Sequence, residues 1–284
     1  MHIPDGFLST PVWVALDAAA APAVALTVRR AQSTFDPARI PALGVMGAFV
    51  FAAQMINFPV GAGTSSHLVG GALLAYTLGP SAASVVMIAI LAIQALVFQD
   101  GGLLALGANV LNMAVAGVLA GYLPFYLWGG GRRRRFAIFA GGVLSVLVSA
   151  VLALSELLAS KVPMPRPAMA LSLGVFAVSA LLEGAITLAV VEGLDAIQPN
   201  FVRQPAAGRR PALGALGLAA VLLGAVGVLF ASTAPDGIER LTRYDAAVLQ
   251  MPWLGKAGAG LGGLALIYAA CLLIGRLAAR RGSA

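Results

Sequence analysis

The sequence predicts an all-α integral membrane protein, and three observations carry that prediction. Hydrophobic residues fill 60% of the 284 positions and charged residues only 10%, with a mean hydropathy of +0.93; soluble domains hold about 25% charged residues. The apolar residues fall in continuous runs of about 20, the length one helix needs to cross a bilayer. A membrane barrel would instead alternate over segments of roughly ten residues. The thirty-four glycines and sixteen prolines suit helices packed in lipid, where small residues let backbones approach. The single cysteine, Cys271, lies in the last apolar run. Disulfides and a thiolate metal cage are therefore excluded.

The runs predict the elements in order. Thr10 can cap and Pro11 can occupy the first helical position, so helix one is expected over about 10–28. Helix two covers about 41–58. Residues 67–98 are apolar for too long to form one span, and Gly79-Pro80 breaks them. Helix three then covers about 66–78 and helix four about 81–98. Helices five (about 103–127), six (136–158) and seven (168–194) follow, and two more, about 213–231 and 258–277, close the chain. The expected organisation is a seven-helix body over residues 1–195, a polar proline-containing linker over 196–212, and a two-helix appendage over 213–284. No internal repeat is evident, which weakens an inverted-repeat carrier.

The basic residues orient this arrangement. Arg29, Arg30, Arg39, Arg132 to Arg135, Arg203, Arg209, Arg210, Arg276, Arg280 and Arg281 fall on one set of loops, thirteen of the 18 Lys and Arg. Lys161, Arg166, Arg240, Arg243 and Lys256 fall on the other. Positive charge is retained in the cytoplasm, so the N-terminus is expected outside and the C-terminus inside. Without the break at Gly79-Pro80 the parity flips and Arg132 to Arg135 go outside. That basic tract reads as a cytoplasmic anchor, and no nucleic-acid partner is expected.

The chain opens Met1-His2-Ile3-Pro4-Asp5-Gly6-Phe7-Leu8. The amine of Met1, the deprotonated backbone nitrogen of His2 and the His2 imidazole can close two fused rings around one small divalent ion. Initiator methionine is usually trimmed only before small residues, and no basic leader with a cleavage site precedes the first helix. An intact Met1 is therefore expected. Position 2 is not proline, so its amide can lose a proton to a metal. Pro4-Asp5-Gly6 reads as a tight turn that folds the terminus back. On residue chemistry alone, a polar histidine at a frayed end is an equal reading.

The only other histidine, His67, changes the balance. It follows the charge-free stretch 57–66 and opens a helix of about a dozen residues, too short at 1.5 Å per residue to cross the hydrocarbon core. A histidine at that depth is costly unless partnered, and marks a site. His67 is thus a candidate fourth nitrogen, and Ser65 and Ser66 are candidates to orient it or to cap the helix. A planar all-nitrogen field suits Ni(II) and Cu(II), and low-spin Co(II) tolerates it. Gln99-Asp100-Gly101-Gly102 is another outer turn, with Asn109 and Asn112 close behind it; Asp100 and Asn109 are candidates to orient ligands, packing or interhelical hydrogen bonding being an equal reading. Asp17 and Glu183 lie within spans and read either as charge relays or as structural hydrogen-bond partners. Ala15, Ala19 and Ala23 form a small-residue stripe on helix one.

Taken together, Met1 to Leu8, Asn57-Phe58-Pro59-Val60, Ser66-His67-Leu68-Val69-Gly70-Gly71 and Phe98-Gln99-Asp100-Gly101-Gly102 resemble the substrate-binding membrane component of cobalt/nickel energy-coupling-factor transporters, the CbiM/NikM type. The resemblance spans about residues 1–195 and implies metal ligation by Met1, His2 and His67. Pro235-Asp236-Gly237-Ile238-Glu239 resembles the motif of the small two-helix accessory subunit of these systems, with Ile238 replacing the usual leucine. That part is implied to assist metal loading or insertion of the N-terminal loop. The resemblance further implies a transmembrane coupling subunit and cytoplasmic ATPases as partners. No Gly-x-x-x-x-Gly-Lys-[Ser/Thr] loop occurs in this sequence.

The expected function is capture of Ni²⁺ or Co²⁺ at the outer face of a bacterial plasma membrane, for ATP-driven import with those partners. No cofactor is expected, the ion being cargo. Membrane lipid surrounds the spans. A stand-alone channel or secondary carrier is the alternative; it requires a continuous polar path and uptake by this chain alone. A membrane enzyme requires an open coordination position and a nearby base, for which Asp100 is the candidate acid.

Overall fold

The computed structural model describes residues 1–34, 36–61, 64–198, 201–202, 211–227, 231–232, 236, 238 and 253–281. Arg203, Arg209, Arg210, Arg240 and Arg243 lie outside the described residues, as do Pro235, Gly237 and Glu239 of the expected outer loop. The linker and domain boundaries expected there fall largely outside them too.

Helix α1 (Thr10–Thr34) starts on the Ser9 carbonyl, which accepts from the Val12 and Trp13 N–H groups at 2.9 and 3.0 Å. It is followed by α2 (Ile40–Gln54), strands β1 (Phe58–Gly61) and β2 (Thr64–Ser66), and α3 (Gly71–Leu78). Next come α4 (Pro80–Phe98, its last turn π-wound from Gln94) and α5 (Leu106–Trp128, π-wound over Val110–Gly117). The chain continues with α6 (Arg134–Ala159), α7 (Arg166–Ile197), α8 (Pro211–Ala225) and α9 (Trp253–Arg281). Among the described residues, six stretches are long and apolar enough to cross a membrane: α1, α4, α5, Gly131–Ala159, α7 and Ala257–Leu277.

The division between α3 and α4 falls at Gly79-Pro80. Gly79 sits at φ 84°, where its N–H closes α3 on the Ala75 carbonyl and its own carbonyl receives the Ala83 N–H to open α4. A residue with a Cβ resists that conformation, and proline suits the first turn that follows. Every residue of α3 is buried.

Two local features depart from the sequence reading. The chain is not purely helical: β1 and β2 pair antiparallel, with Phe58 opposite Ser66 and Pro59 opposite Ser65. Helix three begins at Gly71 rather than near residue 66, so His67 stands on the non-helical segment 67–70. The reason lies across the molecule. The Val69 and Gly70 N–H groups donate to the Glu183 carboxylate on α7, both at 2.7 Å. Gly70 takes φ 77°, and a Cβ there would meet Val50 at 2.5 Å.

Close helix contacts run through glycines. A Cβ on Gly142 of α6 would meet the Gly184 backbone of α7 at 2.7 Å. Likewise Gly44 and Gly47 of α2 abut Tyr268 and Cys271 of α9. The C-terminal helices α8 and α9 therefore pack on α2, itself largely buried.

Candidate metal centre

Residues 1–4 form no regular secondary structure and lie against the turn between α4 and α5. The Ile3 N–H donates to Asn109 Oδ1 at 2.9 Å, and the Ile3 carbonyl accepts from Asn109 Nδ2 at 3.0 Å and from the Gly102 N–H at 2.9 Å. Ile3 is fully buried. The Asp5 carboxylate then accepts from the Leu103 and Leu104 N–H groups at 2.9 and 2.8 Å. The backbone polar groups of the terminus are thus satisfied by side chains and by the Gly102 N–H rather than by regular secondary structure.

This placement buries Met1 and His2 beside His67. Met1, His2 and His67 are 6%, 5% and 9% exposed. The Met1 nitrogen lies 3.0 Å from His67 Nε2, and the two imidazoles stack with centroids 5.6 Å apart and planes 7° from parallel. His67 Nδ1 is 3.0 Å from the Leu68 carbonyl. A carbonyl only accepts, so Nδ1 carries the proton and the Nε2 lone pair faces the Met1 amine. Burial, aided by the terminal ammonium and His2, pushes the His67 imidazole down to about 4, so it is neutral at pH 7.

Two carboxylates flank the nitrogens. Asp100 Oδ1 lies 3.1 Å from His2 Nδ1. Burial opposes the Asp100 charge, but His2, His67 and the terminal ammonium together hold its carboxyl well below the usual range. Asp236 forms an ion pair with the terminal ammonium, and its other oxygen accepts from the Ile238 N–H at 2.7 Å. Ile238 is fully buried. His2 Nε2 is buried without a hydrogen-bond partner. Among the described residues, no group of three His, Cys, Asp or Glu side chains gathers as a metal cage.

The other residues singled out from the sequence are placed as follows. Ser65 and Ser66 are buried on β2, the strand that leads into His67. Asn109 clamps Ile3 and does not reach the imidazoles by any hydrogen bond of its own. Asn112 Nδ2 donates to Glu156 at 2.7 Å. Asp17 Oδ1 accepts from the Gly107 N–H at 2.9 Å, and Glu183 holds the segment after His67. The sequence reading did not single out Gln54, or assign Asp5 and Asp236 their partners. Those partners lie far away in the chain, and no local pattern encodes them. An apolar groove of about 360 Å³ between Val24, Val28, Val85, Ile88 and Ile274 lies on other helix faces and offers no ligating group.

The fold and site define a multi-pass membrane protein with a buried amino terminus between two histidines. The chain belongs to the CbiM family, the cobalt uptake substrate-specific transmembrane region, whose model matches residues 2–201. The fused nickel transport protein NikMN of Rhodobacter capsulatus is 32% identical over 261 residues, covering 82% of this chain and 74% of its own. A relative in Archaeoglobus fulgidus, also bearing a fused NikMN name, is 33% identical over 95% of this chain and 96% of its own. A crystal structure described as a truncated transition metal transporter shares 33% identity and a TM-score of 0.59 over 68% of this chain and 98% of its own. The protein is a membrane component of metal uptake.

Proposed function

We propose that this chain captures Ni²⁺ or Co²⁺ at the outer membrane face, in a square-planar field of four nitrogens: the Met1 amine, the His2 amide and imidazole, and His67 Nε2. The observation that carries the reading is the 3.0 Å separation of the Met1 nitrogen and His67 Nε2. With metal–nitrogen bonds of about 2.0–2.1 Å, neighbouring corners of a square lie about 2.8–3.0 Å apart. His67 presents its lone pair to that corner already, oriented by Leu68. His2 has to turn: a half-rotation about Cβ–Cγ frees Nδ1 for the fused chelate and brings Nε2, now without a partner, beside Asp100. The carboxylate then backs the imidazole as acids do in many metal centres. Asp100 and Asn109 accordingly orient ligands rather than bind the ion.

Planar nitrogen donors disfavour Mg²⁺ and Ca²⁺, which seek oxygen, and offer Zn²⁺ the wrong geometry. The relatives named for fused nickel transport favour nickel as cargo. The N-terminal end of the bundle faces outward and the end carrying Arg132 to Arg135, one α5 length away, faces the cytoplasm. There a transmembrane coupling subunit and cytoplasmic ATPases drive import. The region through residue 195 forms the metal-binding body. The C-terminal pair, with Asp236 on the terminal ammonium, is an accessory unit that seats the amino terminus.

The test is nickel titration of purified protein followed by calorimetry and absorption spectroscopy. A yellow diamagnetic Ni(II) species is expected, lost in His67→Ala and lost when one residue precedes Met1, with helix content unchanged. Undiminished affinity in the extended protein overturns the chelate. Uptake into vesicles by this chain alone would favour the carrier reading instead.

A further inference from the structure

Val69 stands two residues after His67, and both halves of its backbone are held. Its N–H donates to Glu183 on α7, and its carbonyl accepts from Gln54 Nε2 at 2.7 Å. Gln54 is the last residue of α2 and is 3% exposed. The Val69 oxygen can only accept, so the Gln54 amide must present its NH₂ there. Its oxygen then accepts from Gln94 Nε2 at 2.8 Å, and Gln54 Nε2 also reaches Met87 Sδ at 3.6 Å. Gln94 opens the π-wound last turn of α4, and its main-chain carbonyl accepts from the Asp100 N–H at 3.1 Å. Asp100 in turn holds His2. A continuous hydrogen-bonded path thus joins the segment bearing His67 to the turn that grips His2.

We propose that the Gln54–Gln94 amide pair is the positioning element that fixes the spacing of the two imidazoles, and with it the fit of the ion. The proposal rests on the reading of Met1, His2 and His67 as ligands. Two buried amides are costly inside a membrane bundle unless they do more than fill space. Leu or Met packs the same volume without that cost. Gln94 Oε1 is buried with no partner, a penalty that packing alone gives no reason to retain. The pair also bridges two elements: α2 carries Gln54, whereas α4 carries Gln94 and leads into the Asp100 turn. Ligands held to within about 0.5 Å bind far better than the same ligands held loosely, so a device spanning both loops acts on affinity and spectrum together.

The experiment compares the full-length protein with Gln54→Met and Gln94→Met, each titrated with Ni²⁺. Gln94→Met leaves the Gln54 bond to Val69 in place, so it stands if Gln54→Met fails to fold. Each variant is expected to keep its helix content, to bind nickel ten- to a hundredfold more weakly, and to shift the Ni(II) absorption band. The double variant is expected to be no weaker than the worse single one, because the two amides act as one unit. Wild-type affinity and an unmoved band in both variants overturn the proposal. So does a lowered unfolding temperature with an unmoved band, which marks packing alone. The ligand reading fails separately, if a residue added before Met1 leaves nickel binding of the wild-type protein unchanged.

Discussion

Asn109 holds main chain with its side chain: its oxygen takes the Ile3 N–H and its amide meets the Ile3 carbonyl. The geometry holds the main chain one residue beyond His2, so the amide nitrogen proposed as a ligand is fixed by a neighbour that never touches the ion. Asn109→Ala is expected to weaken nickel binding ten- to a hundredfold, measured by calorimetry, while His67→Ala removes the planar species altogether. His67 also gives the metal-free protein an acid sensitivity. Its ordinary value of 6.5 falls to about 4 in the fold, so between those values the unfolded chain binds the extra proton and the folded one does not. Stability therefore declines as pH drops from 6.5 towards 4 and levels off below. Thermal unfolding of metal-free protein across that range checks this, and His67→Ala is expected to lose that part of the slope. At this scale the sequence was informative where chemistry is local: the second-position histidine and its lone counterpart stand out in a chain so poor in ionisable groups. Gln54 and the partners of Asp5 and Asp236 stayed hidden because a hydrogen bond between segments distant in the chain leaves no mark in either one.

At the scale of elements, boundaries shifted where a distant partner outweighed local preference. Hydrophobicity from residue 66 onward suggests continuous helix, yet Glu183 captures the Val69 and Gly70 N–H groups and delays α3 to Gly71. The stretch 57–66, charge-free and carrying Pro59 and two glycines, read as loop and forms a hairpin. By contrast Gly79-Pro80 was legible, because a positive φ and a missing N–H are properties of those two residues alone. Glycine also sets how α9 seats on α2. A Cβ on Gly47 would lie 2.9 Å from Cys271 Sγ and 3.1 Å from both Ile267 and Val86. Gly47→Leu is expected to push α9 away and to expose Cys271, now 1% accessible. Maleimide labelling in detergent is the readout: slow in the parent protein, fast in the variant.

Across the whole molecule, the centre draws on residues 1, 2, 67, 100 and 236, so nearly the entire sequence converges on one pocket. Asp236 is the most distant contributor, and its carboxylate forms the ion pair with the buried terminal ammonium. Removing one member of such a pair costs about 3–5 kcal/mol. In Asp236→Asn the terminus is therefore expected to leave the pocket when metal-free. An acylating reagent at neutral pH should modify its amine faster than in the parent protein, with added nickel restoring protection.

That convergence has a bearing on how the chain is made. The amino terminus leaves the ribosome first, but its counter-charge is translated 235 residues later. Through most of synthesis the ammonium lacks its ion-pair partner and the pocket is half-built. The pocket around Met1 is therefore complete only once Asp236 has been made and docked.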